Sequence, residues 1–499
     1  MRRKGVSVLF ILLLVGALAA QTGKTQPVTP VQLMAWLTSG ISSDRLARLI
    51  QERGLTEVLG EDVGRQNVAR KVQFHQFEAA GANHNLLRIL SDVKPVVGGS
   101  AASEIPEALL KAAAEAKAEN FHQADFDLRA AIGSDPRNAA LHFALGNMLI
   151  RQERWDDAFD EITLSAELMP DFPENHSSLA YIFYRLDDGP NAIAEARTAL
   201  SMDPQNAEAY QFLGLALYSN GQYGAAVHAF EESLARDRAN PDTYYDLGIT
   251  LHASGNQSAA VTAYQQAIRL KPAYWEAHSN LALIWHEQKK LEEAIAEYGE
   301  AKRLAPEEAS VRNNLGNTYC DKGDFDAALA EMQQLYREHP EWKQGHGCLA
   351  RAYMAKKEYG SAIQELQLAV RQNPGSSSEH RMLGEALVMD DRLDEGVREL
   401  RLAVTLNPDS DTAHQGLGTG LFRQQQLAAA EKEFREAVRL NASPDNHFSL
   451  AACLITMDRY EEALAELDAA ARLDPSRTLY RARREELLKL MKGANSRNR

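Results

Sequence analysis

Imidazole is the chemical group that this sequence distributes least at random. His142, His176, His278, His346, His380, His414 and His447, seven of the fourteen histidines, occupy one slot of a recurring interval. Such a series could hold a row of metal ions or sense pH near neutrality. Distance weighs against metal: equivalent positions on stacked helices lie about 10 Å apart, whereas zinc holds nitrogen at about 2.0–2.1 Å, so neighbours cannot share one ion. Tyr210 and Tyr244 fill the same slot, which points to a flat ring used for packing. Cys320, His339, His346 and Cys348 form a denser group, yet His346 and Cys348 stand two apart on one expected helix and diverge. With Cys453 the cysteines number three, too few for a disulfide framework. Each reads as a small buried residue, inert by default, and outside the cytoplasm an odd count leaves at least one thiol unpaired.

Fragments of catalytic motifs fail on their spacing. Gly23-Lys24-Thr25 ends like a phosphate loop, but Leu18 stands where the leading glycine is required. His286-Glu287 opens like a zinc-protease helix, but Lys290 replaces the second histidine. No Gly-x-Ser-x-Gly elbow occurs. The sequence therefore predicts no enzyme, no catalytic residue, no metal site and no cofactor. A net charge of −15 also makes nucleic acid an unsuitable partner, because phosphate neutralisation needs a basic face.

The elements that position these side chains follow from a longer pattern. At 499 residues the chain is too long for one compact core unless it is extended or repetitive, and 45% hydrophobic with 25% charged residues is an ordinary folded balance. Residues 1–20 form a separate segment: Arg2, Arg3 and Lys4, an apolar run from Val6 to Leu18, then Ala17-Leu18-Ala19. That order predicts a secretory signal peptide cleaved after Ala19 or Ala20, and the run is shorter than the roughly 20 residues a membrane span needs. No cysteine follows for lipid attachment, and no later segment is apolar enough to span a bilayer. The mature chain is expected to be soluble, in the periplasm or secreted.

Beyond residue 105 a 34-residue ruler governs the chain. Leucine recurs at Leu145, Leu179, Leu213, Leu247, Leu281, Leu315, Leu349, Leu383 and Leu417. The following position is always small, as in Gly146, Ala180, Gly214 and Gly248, and a second small slot holds Ala158, Ala192, Ala226 and their equivalents. Proline closes most repeats, as at Pro170, Pro204 and Pro306. Apolar spacing within each interval is helical, and turns such as Ser219-Asn220-Gly221-Gln222 split it into two helices. Small residues at the crossing let paired helices approach closely, and proline ends the second helix. One pair cannot bury its apolar face alone, but stacked pairs can.

The period and the slot order Leu-Gly, Ala, Phe, Pro resemble the tetratricopeptide repeat (TPR) family. The resemblance implies an all-α, right-handed superhelical solenoid of eleven repeats across residues 105–477, at 105–138, 139–172, 173–206, 207–240, 241–274, 275–308, 309–342, 343–376, 377–410, 411–443 and 444–477. The first is degenerate, with Lys111 in the leucine slot. Residues 478–491 read as a capping helix with Tyr480, Leu487 and Met491 on one face, and 492–499 as a polar tail. Residues 28–95 read as a small helical module. Leu33, Trp36 and Leu37 mark one helix, and Ser43 caps another carrying Leu46, Leu49 and Ile50. Val68, Val72 and Phe77, with Leu86, Leu87 and Leu90, mark two more; 96–104 is the linker.

In that family the first helix of each repeat lines a curved inner surface. The resemblance implies exposed inner positions at Phe143, Asn147, Tyr181, Tyr184, Tyr218, Tyr245, His252, His286, Asn313, Asn317, Arg351, Arg381, Glu385 and Phe422. Aromatic and amide side chains on a concave track suit an extended protein or peptide partner. The lysine/asparagine clamp of chaperone-binding TPR domains is absent in this arrangement. The implied function is a non-enzymatic envelope scaffold; alternatives are an assembly or secretion cofactor for pili or polysaccharide export, or the regulatory array of a glycosyltransferase-type system.

Overall fold

The computed structural model describes residues 28–53, 55, 75–92 and 105–497. The leader, the linker 96–104, and Val68 and Val72 lie outside the described residues. What is described is helical, apart from one isolated bridge between Val28 and Leu55. The chain divides into two blocks, Met1–Pro272 and Ala273–Arg499.

In the first block the N-terminal module contributes helices Pro30–Ser39, Ser43–Arg53 and His84–Asp92. Thr29 starts the first of these: its hydroxyl accepts from the Gln32 amide while the Gln32 side chain takes the Thr29 N–H, leaving neither donor orphaned. Five helix pairs follow. Repeats 1 and 2 contain Glu107–Lys117 with Phe121–Ser134 and Ala139–Arg151 with Trp155–Leu168. Repeat 3 contains Pro173–Arg185 with Gly189–Met202. Repeats 4 and 5 contain Ala207–Ser219 with Tyr223–Arg236 and Pro241–Ala253 with Gln257–Leu270.

The second block stacks six further pairs, from Trp275–Glu287 with Leu291–Leu304 to Pro444–Thr456 with Tyr460–Leu473. Its last helix, Thr478–Arg497, buries Tyr480 and Leu487 and runs through most of the segment read as a polar tail.

The recurring slots have the mechanical role their types suggest. A Cβ on Gly214 would stand 2.6 Å from the Phe230 ring, and one on Gly248 the same distance from Tyr264, so each glycine makes room for the side chain 16 residues later. Asn206, Asn240, Ser376, Ser410 and Ser443 cap first helices by accepting from amides two or three residues on. The turn inside each pair has one left-handed residue at a fixed slot, filled by Gly221, Gly255 and Gly323 in three repeats and by residues such as Asp187, Lys289 and Lys357 elsewhere. Among the described residues no helix is long and apolar enough to cross a membrane.

Candidate peptide-binding groove

The N-terminal module packs against the first helices of repeats 1 and 2 and reaches the start of repeat 3. Trp36 stacks on Phe172 with centroids 4.7 Å apart, and Phe172 meets Phe143 edge-on at 5.2 Å. Phe143, expected on the exposed inner face, is therefore buried. The module covers this part of the inner face. Asn147, one turn on and half-buried, donates to the Phe143 carbonyl at 3.0 Å. Arg45 anchors the module by charge. Its Nε donates to Glu174 Oε1 at 2.6 Å, its Nη2 lies 3.2 Å from Asp203 Oδ2, and Arg53 adds a bond to the Asp171 carbonyl at 2.7 Å.

Beyond that edge the expected tyrosines converge. Tyr181 stacks on Phe212 at 4.9 Å and lies 6.2 Å from Tyr184; Arg185 donates to its hydroxyl at 3.1 Å. Tyr184 is half-buried, and burial, with Asp246, Tyr181 and Tyr218 close by, pushes its phenol above the ordinary value. Tyr218 turns partly toward Tyr223, at 5.6 Å, and Tyr245 lies against Tyr264, at 5.9 Å. His252 sits half-buried near the end of the Tyr245 helix. Tyr181, Tyr184, Tyr218 and Tyr245 are partly exposed, whereas Tyr264 is buried.

Two carboxylates in this region were not among the expected residues. Asp246 accepts from Gln211 Nε2 at 2.9 Å, and Gln211 in turn accepts from Asn240 Nδ2 at 3.4 Å. Burial, opposed by the Gln211 bond, raises the Asp246 carboxyl to about 7. Glu208 is open to solvent yet enclosed by surrounding protein, which together with nearby Glu174 also raises it to about 7. For Glu208 the sequence signal was present, since Glu174, Glu208 and Asp242 succeed one another at the 34-residue interval; Asp246 lies four residues beyond that slot.

In the second block the expected positions differ in exposure and pairing. His286 Nε2 lies 2.9 Å from Asp321 Oδ2, while exposed Arg351 donates to Asp321 Oδ1 at 2.7 Å. Asp321, not expected, links the two. Arg381 and Glu385 satisfy each other at 2.6 Å. Asn317 is half-buried, and Phe422 packs onto the C-terminal core. Asn313 is not exposed. The chain before helix His346–Ala355 comes so close that a Cβ on Gly345 would sit 2.9 Å from Asn313 Oδ1.

The histidine slot carries more than packing. Each of the seven rings points Nδ1 at the glutamate 19 residues later: His142 at Glu161, His176 at Glu195, His278 at Glu297, His346 at Glu365, His380 at Glu399, His414 at Glu433 and His447 at Glu466, all at 2.5–2.7 Å. The other ring nitrogen of His142, His380 and His414 meets a proline carbonyl at 3.0–3.1 Å. Each bridge ties the first helix of its repeat to the second. The bond to Glu161 raises the His142 imidazole above its ordinary value despite partial burial. The cysteines also need correction: Cys320 and Cys348 form a disulfide between repeats 7 and 8, with Cα atoms 5.9 Å apart, so neither offers zinc a thiolate. Cys453 is buried and free.

A tetratricopeptide repeat family model matches residues 109–171, 245–309, 313–377 and 416–478, together more than half of the chain, and a second TPR model matches 214–255. The chain belongs to the tetratricopeptide repeat family. No curated protein matches this TPR chain. Among solved structures it is similar to the Cut9–Hcn1 complex of the APC/C, at 12% identity over 90% of this chain and 100% of that one, TM-score 0.45. A TPR protein from Parabacteroides merdae is 20% identical over 50% of this chain and 98% of its own, TM-score 0.40. YrrB, described as a TPR protein with an unusual peptide-binding site, is 23% identical over 39% of this chain and 97% of its own, TM-score 0.33.

Proposed function

We propose that this TPR protein is a non-enzymatic, exported scaffold that holds an extended segment of a cell-envelope protein on the first helices of repeats 3–5. The observation that carries the reading is the half-open surface of Tyr181, Tyr184 and Tyr218 beside Asp246, beyond the edge of the N-terminal module. Aromatic side chains give large contact area for few rotatable bonds, and their hydroxyls hydrogen-bond a peptide backbone. Export is supported by the basic, apolar and small-residue order of residues 1–20 and by the Cys320–Cys348 disulfide, a bond that persists in oxidising compartments. Carboxylates along the same surface favour a protein partner over a polyanion.

Capture of envelope proteins by the chain lacking residues 1–20 tests this reading when run beside Tyr181→Ala/Tyr184→Ala. Interface aromatics carry about 2 kcal/mol or more each when they are hot spots, so the double variant is expected to lose capture. Its helicity should stay intact and its melting temperature should fall only a few degrees. Undiminished capture would place the binding surface elsewhere, and a collapse in melting temperature would assign both rings to the core.

A further inference from the structure

The N-terminal module shows what kind of side chain this groove receives. Arg45 lies buried between Glu174, the second residue of the first helix of repeat 3, and Asp203, at the end of that repeat's second helix. The repeat then copies the receptor. One interval on, Glu208 and Asp237 occupy the same two positions of repeat 4, and neither makes an ion pair among the described residues. Arg151 acts on Glu208 only from a distance, and Asp237 uses one oxygen to accept from the Ala239 amide. A further carboxylate follows in repeat 5: Asp246, fixed by the Gln211–Asn240 relay and close to the Tyr184 ring. Carboxylates beside aromatic faces suit a guanidinium or ammonium group, which gains from charge and ring quadrupole together. The chain uses that pairing elsewhere, with Arg236 4.2 Å from the Tyr210 centroid and Arg185 4.3 Å from that of Trp155.

Resting on the groove assigned above, we propose that repeats 4 and 5 bind basic side chains of an extended partner segment, Glu208 with Asp237 taking one and Asp246 beside Tyr184 and Tyr218 taking the next. Arg45 is the in-chain occupant of the equivalent site in repeat 3. Neighbouring helices are about 10 Å apart, and Asp246 stands four residues further along its helix than Glu208 does, a rise of about 6 Å, so the two sites are about 12 Å apart. An extended chain advances about 3.3–3.6 Å per residue, so the two basic residues belong about three to four positions apart.

The elevated carboxyls add a pH signature. Glu208 faces Glu174 and Arg151, and Asp246 faces Asp242, Tyr184 and Gln211. Both titrate at about 7, while an arginine ligand stays charged throughout. A bound cation favours the ionised carboxylates, so affinity rises from pH 6 to pH 8.

The test uses fluorescence anisotropy of the full chain lacking residues 1–20, with a labelled Ala-Arg-Ala-Ala-Arg-Ala peptide blocked at both ends. The probe is compared with the same peptide carrying neutral citrulline for arginine. The arginine peptide is expected to bind at least about tenfold more tightly than its citrulline twin. Its affinity should fall with added salt, fall about tenfold in Glu208→Gln/Asp246→Asn, and stay unchanged in Glu461→Gln/Glu462→Gln, an equal charge change on the second helix of repeat 11. The first two substitutions are nearly isosteric, and a melt at pH 8 no lower than that of the unsubstituted chain verifies the fold. Equal binding of both peptides, or an affinity indifferent to Glu208→Gln/Asp246→Asn, overturns the inference. If that equal binding is lost in Tyr181→Ala/Tyr184→Ala, the aromatic groove survives and only the charge reading falls. If the arginine peptide does not bind, the inference falls alone, because envelope capture decides the groove separately.

Discussion

Repeats 4 and 5 differ from most of their neighbours at the same joint. Seven repeats close their two helices with a histidine–glutamate bridge; repeat 7 uses Arg312 and Glu331, 3.4 Å apart. Repeats 4 and 5 have Tyr210 and Tyr244 in the histidine slot, and the residues 19 further on are Ala229 and Ala263. Both partners change together, large ring against small methyl in place of ring against carboxylate, because a lone buried glutamate would lack its donor. Three repeats lack an ionisable bridge: repeat 1, with Ala108 in the slot, and repeats 4 and 5, which carry Glu208, Asp246, Tyr218 and Tyr245. The joint that holds a repeat together and the face proposed to bind a partner are thus set by separate side chains.

Breaking one bridge should give the largest effect. His176 and Glu195 are both nearly fully buried, so Glu195→Ala is expected to cost about 2–3 kcal/mol, from the unmet ring nitrogen and the void. Adding His176→Tyr, which copies the joint of repeat 4, should recover most of that loss. Urea unfolding of the single and double variants measures both, and a double variant no better than the single would mean that the two joints are not interchangeable.

A smaller contrast lies in pH. The His142 imidazole is raised in the folded chain, so its bridge contributes fully below the unfolded value near 6.5 and is lost as pH rises through the folded value. Glu208 and Asp246 are raised from about 4 to about 7, so the stability tied to their neutral forms is complete below 4 and gone above 7. Both effects favour acid, in different windows. Glu208→Gln should flatten melting temperature against pH between about 4 and 7, and Glu161→Gln should do so above about 6.5. Identical profiles for the two variants would erase the distinction between joint and groove.

The smallest difference concerns the turns. Gly221 and Gly255 fill the left-handed corner in repeats 4 and 5, whereas repeat 6 places Lys289 there at φ 61°. Lys289→Gly should stabilise by about 0.5–1 kcal/mol, and Gly221→Ala should destabilise by about 1 kcal/mol, both read from chemical denaturation.

The repeat architecture was legible because each slot is a packing constraint restated in every interval, so leucine, small residue and proline reinforce one another. The histidine–glutamate bridge was equally periodic, but its halves lie on different helices, and the histidine column alone suggests only a flat ring. Cys320 and Cys348 escaped for the same reason: each fits a buried small site, and only the stacking of repeats 7 and 8 brings their sulfurs together. Phe143 and Asn313 were misassigned because what covers them comes from outside the local pattern, the N-terminal module in one case and the chain around Gly345 in the other. Tyr181 and Tyr184 did stand at partly open positions, whereas the acids beside them went unread among the many surface charges of an acidic chain.

The docking of the N-terminal module also fixes an order of events. Arg45 and Glu174 are separated by 129 residues, so the module, whose first helix can begin to pack once repeat 1 is made, lacks its charged anchor until the start of repeat 3 has been delivered. At about 5–20 residues per second that is a wait of roughly 6–26 s. Repeats beyond the first need only their immediate predecessor and can add one after another. The module is therefore first made but anchored only after two repeats have followed it, and until Phe172 arrives at the end of repeat 2 the Trp36 ring lacks the face it stacks on.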